Sequence, residues 1–526
     1  MNREAYREIV KKALKKDLSR PKFQKLKREI GSKYGLKKIP KNSEILKSAK
    51  GDEKEKLKPL LLKKPTRSIS GVSVVAVMTP PADCPHGKCL YCPQGPEAPQ
   101  SYTGEEPAAL RGRRNEFSGY SQVRNRLEQL KAVGHPTDKI ELIIMGGTFP
   151  ARPFEEQKEF LKNCFEGLAD KKFKSFEDAK KEVQKIEARP IGITFETRPD
   201  YAKEKEINNM LELGGTRVEL GVQNPDDEIY EKVERGHSVS DIVESTQLLK
   251  DSGFKINYHL MPGLPGSSKE DDLKMFKNIF ENSNFKPDMI KIYPTLVMEG
   301  TKLYNSWKKG EYEPLTSEKA TDLVAEMKEI VPRWVRIMRV QRDIPANLIS
   351  AGVKKSNLRQ LAKKVMKRKG IECSCIRCRE VGHKIRKEGE EPEEIEIRNE
   401  KYEASGGTEF FISAEDFEKD ILIGYIRLRI PSGKYFRPEI NENTALIREL
   451  HVYGSEVLIG NEAENLEYQH LGYGEKLLKK AEKTALENGK TEILILSGLG
   501  VREYYEKFGY RKKGPYMHKK LEGSKT

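Results

Sequence analysis

Between residues 71 and 297, short apolar runs alternate with longer polar stretches whose apolar residues recur at helical spacing. The runs are GVSVVAVMTP (71–80), KIELIIMGG (139–147), PIGITFETRP (190–199), GTRVELGVQ (215–223), FKINYHLMPG (254–263) and MIKIYPTLV (289–297). Intervening segments such as SGYSQVRNRLEQLKAVG and SVSDIVESTQLLKDSG end in Gly, as helices commonly do. Six β-α alternations predict an α/β fold with a parallel sheet, open or curled into a partial TIM-type barrel. In such sheets function gathers at the carboxyl ends of the strands. Polar and Gly-rich residues do collect there: CPHGKCLYC after the first run, MGGTF closing the second, FETRPD the third and GVQ the fourth.

Past residue 300 the pattern changes. RWVRIMRVQRDIP (333–345) repeats arginine every third residue, and VKKSNLRQLAKKVMKRKG (353–370) holds eight basic residues and no acid; with the basic amino-terminal segment they offer three separated phosphate contacts, as a folded RNA needs. CSCIRC (373–378) and an acidic, linker-like tract (388–400) follow. From about 405 the chain is β-rich again, with ILIGYIRLRI, ALIRELHVYG and TEILILSG around one helical stretch. No internal repeat is visible.

Composition sharpens this outline at two points. The chain of 526 residues carries a formal charge of +16, and residues 1–50 hold 17 Lys/Arg against 5 Asp/Glu. Such an asymmetric basic segment suits a polyanionic partner, as does any lysine-rich solvated helix. The amino terminus has no apolar core of a leader peptide, and no run approaches the roughly 20 apolar residues of a membrane helix. A soluble, cytoplasmic protein in a reducing compartment is therefore expected, in which clustered cysteines mean metal or catalysis.

Three of the seven cysteines lie in C-x4-C-x2-C spacing at Cys84, Cys89 and Cys92. The spacing alone leaves zinc and an iron-sulfur cluster with one open iron as equal alternatives; electron-transfer clusters use four cysteines. Cys373, Cys375 and Cys378 have tight thiolate spacing, and His383 follows within reach of a tetrahedral zinc site. Cys164 stands alone and reads as buried filler. In the last domain, Gln469 opens a Q-x-x-G-x-G stretch with Gly472 and Gly474 just before a helix, where backbone amides and the helix N-terminus can receive a pyrophosphate.

Three cysteines after the first strand and Gly-Gly after the second resemble the radical S-adenosylmethionine superfamily, with one residue more than usual in the first gap. The stretches CPHGKCLYCPQGPEAPQSYTGEEPA, MGGTF, GITFETRPDY, TRVELGVQ, RGHSV, HLMPGLPG, KIYPTLVMEGT and RVQRDIP resemble, in order, the family of the Elongator catalytic subunit. The C-terminal pattern resembles the GNAT acetyltransferase fold. The resemblance implies a basic tRNA-binding segment at 1–60, a radical S-adenosylmethionine (β/α)6 partial barrel at 61–350, a basic zinc-binding linker at 351–400 and a GNAT α+β domain at 401–526.

It further implies that Cys84, Cys89 and Cys92 hold a 4Fe-4S cluster, and that Gly146, Gly147 and Thr148 receive S-adenosylmethionine. Glu196, Arg198, Glu219 and Gln223 are candidate cofactor or substrate contacts. Acetyl-coenzyme A would be met by the backbone of Glu449, Leu450, His451 and Val452, by Gly472, Tyr473, Gly474 and Glu475, and by Lys139. Tyr505 would stand near the thioester sulfur, able to protonate a leaving thiolate. Cys373, Cys375, Cys378 and His383 would hold a structural zinc ion.

The activity implied is synthesis of 5-carboxymethyluridine at the wobble position of tRNA. A 5'-deoxyadenosyl radical takes hydrogen from the methyl group of acetyl-coenzyme A, the carbon radical adds to C5 of the uridine, and hydrolysis frees the thioester. The anticodon stem-loop region of tRNA is the expected partner, with a homodimer or further Elongator-like subunits left open. The rival reading is a protein lysine acetyltransferase with a structural iron-sulfur cluster.

Overall fold

The structure, a computed structural model, describes residues 2–15, 18–62, 69–453 and 471–522. The basic amino-terminal segment is folded. Helices Asn2–Leu14, Arg20–Lys33, Asn42–Ser48 and Asp52–Leu61 turn apolar stripes onto each other, and Ala5, Ile9, Val10, Phe23, Ile30, Ile45, Leu57 and Leu61 form their shared core. Lys27 is drawn into it and donates to Asn42 Oδ1 at 2.7 Å.

The main sheet is parallel and curled into a half-barrel. Its strands are β1 (Ser73–Met78), β2 (Lys139–Met145), β3 (Arg189–Thr197), β4 (Arg217–Gln223), β5 (Lys255–Leu260), β6 (Met289–Ile292) and β8 (Arg336–Val340), hydrogen-bonded in that order. Between β6 and β8 lies β7 (Val297–Met298), which pairs with β9 (Ile349–Ala351) in a separate two-stranded sheet. Alternation decides which face is which. In β2, Ile140, Leu142 and Ile144 are buried toward the outer helices, leaving Lys139, Glu141 and Ile143 on the concave face. Ser118, Ser238, Ser268 and Thr316 each accept a backbone N–H at the start of an outer helix, which fixes where strands give way to helices.

The six expected strands are present, and β8 adds a seventh. RIMRV pairs in parallel with β6, burying Ile337 and Val340, so the arginine-rich stretch is a strand, and its first two arginines turn to the second domain. Arg333 bonds Glu415 and Asp420, both at 2.9 Å. Arg336 bonds Glu380 at 2.9 Å and Tyr453 Oη at 2.7 Å. The basic run from 353 becomes helix Leu358–Lys369, whose Leu358, Ala362, Val365 and Met366 are buried.

The second sheet begins at Glu396, inside the tract that reads as linker. It comprises β10 (Glu396–Ala404), β11 (Gly407–Asp416), β12 (Ile421–Ile430), β13 (Thr444–Val452), β14 (Glu492–Ile495), β15 (Arg511–Lys513) and β16 (Tyr516–Lys520), in the order β10-β11-β12-β13-β14-β16-β15. Every pair is antiparallel except β13 with β14. Helix Tyr473–Glu487 buries Leu477, Leu478, Ala481 and Ala485 against one face.

Leu446, Leu494, Leu496, Leu499 and Tyr516 join the core of the half-barrel. This contact lies at the amino ends of the barrel strands. There Arg448 bonds Asp288 at 2.6 Å and Glu409 at 2.8 Å. Arg429 bonds Asp251 at 2.7 Å, and Arg427 lies 3.6 Å from Asp288. These groups are buried, and removing one partner of such a pair costs about 3–5 kcal/mol because the other is left uncompensated. The two sheets are thus held in one orientation.

Candidate active site at the two ends of the half-barrel

A cavity of about 610 Å³ opens at the carboxyl ends of β1 to β6 and runs toward the amino end of β1, where Ser73 and His135 also line it. Cys84, Cys89, Cys92, Gly147, Thr148, Glu196 and Gln223 all line it, together with Glu219, His259 and Lys291. The cysteine loop is pinned from several elements. Cys84 N–H donates to Gln100 Oε1 at 2.8 Å, and Gln100 donates to Gly87 O at 2.7 Å. Arg235, buried, reaches Cys89 Sγ at 3.5 Å. Gly146 stands behind the rim at φ +125°, where a Cβ would strike Thr79. Gly147 is at φ +73° with nothing within 4 Å of the place a Cβ would take; that space is open to a ligand.

The three thiols do not converge on one point. Among the described residues they are absent from the groups whose ligand atoms come within 4.8 Å of one another, whereas tetrahedral zinc with Zn–S near 2.3 Å needs sulfurs about 3.8 Å apart. His86 lies between two of them, Nδ1 3.0 Å from Cys84 Sγ and Nε2 3.2 Å from Cys89 Sγ. Burial, then Arg198 and Arg235, lower its pKa to about 4. Burial pushes the Cys92 thiol up to about 11, so ligation there must expel a proton. A wide, three-thiol set suits a multinuclear cluster better than a single ion.

Deeper in the half-barrel, Glu196, Glu219 and His259 do come together within 4.8 Å, but an ammonium already fills the place of a cation. Lys291 bonds Glu219 and lies 3.3 Å from Glu196 Oε1. Burial favours the neutral acid at Glu219, yet Lys291, His259 and Arg217 outweigh it and hold this carboxyl well below the usual range. Tyr102 donates to Glu196 Oε2 at 2.9 Å. Gln223 takes a left-handed backbone, φ +66°, and its buried Oε1 has no hydrogen-bond partner. Such strain collects at ligand sites. Arg198 is placed differently from its expected role: it bonds both oxygens of Asp200 and the carbonyls of Arg235 and Gly236, anchoring the loop that carries Arg235.

At the opposite end, β13 and β14 pair only as far as Ile447 and Ile495, while β13 continues to Val452 against β12 alone. Glu449, Leu450, His451 and Val452 therefore lie where the two strands part, an edge to which an extended amide chain can add. His451 Nε2 is buried without a hydrogen-bond partner. Burial lowers this imidazole to about 4, with Glu449 opposing and Arg336, Lys255 and Lys139 adding to the shift. Lys139 of the barrel is thus brought near the GNAT-like strand. Gly472 starts the following helix at φ +77°, and a Cβ on Gly474 would run into Tyr504 Oη. Tyr473 and Glu475 occupy the first turn. Tyr505 is buried, which raises its pKa, with Tyr504 and Glu449 adding to the effect. Gln469 lies outside the described residues.

The second cysteine triad is compact: Cys373, Cys375 and Cys378 bring their sulfurs within 4.8 Å, and His383 is not among that group. His383 is buried with both ring nitrogens unpartnered. The structure thus joins three of the four expected ligands. Lys328 reaches Cys378 Sγ at 3.7 Å. Cys164 is fully buried in the core.

Sequence reasoning did not single out Arg235, His86, Lys291 or Arg377. All four lie in quoted stretches, RGHSV, CPHGKC, KIYPT and CSCIRC, so those were visible while the residues' roles depended on contacts across space.

A parallel half-barrel with three cysteines after its first strand, followed by a sheet with parted central strands, defines a radical S-adenosylmethionine protein with a GNAT domain. Family profiles agree: Radical SAM superfamily over 78–279, Radical_SAM C-terminal domain over 287–368, Acetyltransferase (GNAT) family over 378–510 and ELP3 N-terminal domain over 2–69. The chain is 56% identical to the tRNA uridine(34) acetyltransferase of Methanocaldococcus infernus over 490 residues, 92% of each chain. It is 43% identical to human Elongator complex protein 3 over 515 residues, 95% of this chain and 93% of that one. The solved archaeal M. infernus Elp3 with an N-terminal deletion superposes with a TM-score of 0.77 at 52% identity, covering 86% of this chain and all of that one. The chain belongs to the family of Elongator complex protein 3 and tRNA uridine(34) acetyltransferase. Membership of the radical S-adenosylmethionine and GNAT families implies a 4Fe-4S cluster, S-adenosylmethionine and acetyl-coenzyme A. Among the described residues no helix is long and apolar enough to cross a membrane.

Proposed function

We propose that the protein is a tRNA uridine(34) carboxymethyl synthase that uses S-adenosylmethionine and acetyl-coenzyme A. The observation that supports this reading is that the cysteine-lined cavity and the parted strands β13 and β14 belong to one half-barrel assembly, with polar side chains through its interior between them. Glu219 meets Lys291 inside the half-barrel, and Arg217, nearer the floor, lies 3.5 Å from Glu219 and 3.3 Å from Glu141. A rigid ionic interface holds the ends together.

Cys84, Cys89 and Cys92 would ligate the cluster, with Gly147 and Thr148 beside the open side and Glu196 and Gln223 across the cavity. When bound, the cluster and S-adenosylmethionine supply a carbon-centred radical that can take hydrogen from the acetyl methyl group. The protein's part is to orient the reactants and exclude water. Arg235 and His86 hold the cysteine loop, and Lys291 keeps Glu219 ionised and bridges it to Glu196. The parted strand at 449–452 would take the pantetheine arm, Gly472 to Glu475 the pyrophosphate, and Lys139 the barrel side of the cofactor. Tyr505, kept protonated by burial, is suited to give its proton to a leaving thiolate. Cys373, Cys375 and Cys378 would hold zinc, with the fourth ligand supplied from elsewhere than His383 in the conformation described. The basic helical unit at 1–60 would contact tRNA, and a cytoplasmic place goes with that substrate.

The test is release of coenzyme A by anaerobically purified, iron-reconstituted protein. Release that depends on tRNA, lowered about 10- to 100-fold by Tyr505→Phe, is expected. Release that needs a lysine-containing peptide and ignores tRNA would replace this reading with a protein lysine acetyltransferase.

A further inference from the structure

The half-barrel has an open seam. β1 and β8 are the two end strands of its sheet, and the cavity follows the gap between them along the length of β1. Ser73, Val74 and Ala76 line it on one side, and Arg377 lines it near the amino end of β8, where Ile376 N–H donates to Val335 O at 3.0 Å. The lower end of the seam opens over the last residues of β13. Arg336, at the start of β8, donates to Tyr453 Oη at 2.7 Å, and the His451 ring lies 4.3 Å from that of Tyr453. Ser73 pairs in register with Ile140, which sets the start of β1 beside Lys139, whose charge acts on His451. The amino ends of β1 and β8 thus flank the strand read as the acetyl-coenzyme A edge, and their carboxyl ends reach the cysteine-lined rim. β1 has six residues, so the seam is about 17–20 Å long at roughly 3.3 Å per residue. That is the span of an extended acyl-pantetheine arm.

The free edge of β1 is only partly capped. Met78 N–H donates to Gln122 Oε1 at 2.8 Å, and Gln122 donates back to Met78 O at 2.9 Å. Arg111 donates to Ala76 O at 2.6 Å. Period two turns Val74 to the same edge, and among the described residues neither its backbone groups nor the Ala76 N–H have a partner outside the sheet. An edge with open backbone groups pairs with another extended amide chain. The side chains suit the same guest. Val74, 44% exposed, stands with Ala76, Ala108 and Leu130 as an apolar wall. Arg111 Nε is buried in that wall without a hydrogen-bond partner, a donor in want of an acceptor. A pantetheine arm offers what these groups lack: amides for the edge, a dimethyl carbon for the wall and carbonyl oxygens for Arg111.

Resting on the reading above, we propose that the seam between β1 and β8 is a second station for the acyl-pantetheine arm of acetyl-coenzyme A, where Arg111 and the free edge of β1 hold the arm extended toward the cysteine-lined rim. The strand at 449–452 and the rim lie at opposite ends of the half-barrel. An acetyl group kept on that strand stays far outside the roughly 3–3.5 Å at which reacting atoms must meet. Gly474 is packed against Val452, with 3.9 Å between the place of a Cβ and Val452 Cγ2. The pyrophosphate therefore remains at the lower mouth while the arm moves from β13 to β1, and the methyl group reaches the radical without release of the cofactor.

The measurement is transfer of deuterium from trideuteroacetyl-coenzyme A into 5'-deoxyadenosine, by mass spectrometry, with the metal-loaded full chain and tRNA. Ala76→Phe and Val74→Trp, which fill the middle and the lower mouth of the seam, should lower the transfer about 100-fold or more. Unlabelled 5'-deoxyadenosine should still form in both, and acetyl-coenzyme A should bind as in the wild type by calorimetry. Val74 is exposed, so its replacement leaves the core alone should Ala76→Phe fail to fold. A second readout needs no turnover. Val74→Cys, alkylated with iodoacetamide and followed at its own peptide, should react more slowly with acetyl-coenzyme A present, and adenosine 3',5'-bisphosphate, which lacks the arm, should give no protection. Normal transfer in the blocking variants, or alkylation indifferent to acetyl-coenzyme A, would overturn the second station and leave the functional reading standing. Loss of acetyl-coenzyme A affinity in both blocking variants would overturn it in favour of a contact with the resting cofactor. Wild-type protein that transfers no deuterium while Val74→Cys is protected would overturn the radical reading and leave the seam an acyl-coenzyme A site.

Discussion

The two cysteine triads use the same residue type over similar spans, and the fold gives them opposite geometries. Cys84, Cys89 and Cys92 are spread along a loop at a strand end, with a histidine between the first two sulfurs and an open glycine opposite. Cys373, Cys375 and Cys378 converge within 4.8 Å, packed between helix Leu358–Lys369 and the second sheet. One set lines a cavity, as the proposed cluster with an exchangeable fourth ligand requires. The other closes on a point, as structural metal sites do. Spacing therefore says that sulfur is gathered, and the distance between sulfurs tells the two sets apart.

Removing Cys89 is the largest test of that contrast. Cys89→Ser should lower uridine modification by more than about a thousandfold, because the chemistry belongs to the cofactors. It should leave RNA affinity and zinc content as they are. Iron analysis with electron paramagnetic resonance, beside a modification assay, checks this; full activity in the variant would end the distinction between the triads.

Cys375→Ser should act the other way round. Zinc content falls from about one ion per chain to none and the melting temperature drops by about 5 °C, while the iron-sulfur spectrum is kept. Loss of both metals together would show that the triads are one unit.

Acid should separate the ion from the interface. In the folded protein Asp288 and Glu409 lie below their usual range: burial opposes ionisation, but Arg448 and Lys250 overcome it, with Arg427 adding at Asp288 and Arg429 at Glu409. A depressed folded value means their contribution is complete above the unfolded range near 4 and is lost as pH falls through the lower folded value. Thiolate ligands are protonated sooner. Between about pH 7 and 5 zinc should therefore leave, read with a chromogenic chelator, while near-ultraviolet circular dichroism of the domain interface stays constant.

The smallest effect is expected at His383. Because it stands outside the converged group, His383→Ala should keep its zinc and cost about 1–2 kcal/mol of packing. Loss of the ion in that variant would place the imidazole back in the ligand set.

Much of this was legible in the chain. Period-two and helical alternation marked six barrel strands to within a few residues, since a one-residue slip would turn Ile140, Leu142 and Ile144 to the wrong face. Residue chemistry at strand ends marked the rim. Arg333 and Arg336 read as RNA contacts because a run of arginines looks the same whether it faces phosphate or a partner domain. The acidic tract read as linker because β10 has few apolar residues to show its pairing with β11.

By itself the sequence determined the order of elements, the face each strand buries and the gathering of sulfur at two places, because these depend on neighbours a few residues apart. Tertiary structure alone decided which charges are spent. Arg448 meets Asp288 across 160 residues of chain, and Lys291 meets Glu219 across 72. Coulomb energy depends on distance and burial in space, and neither can be read from separation along a chain.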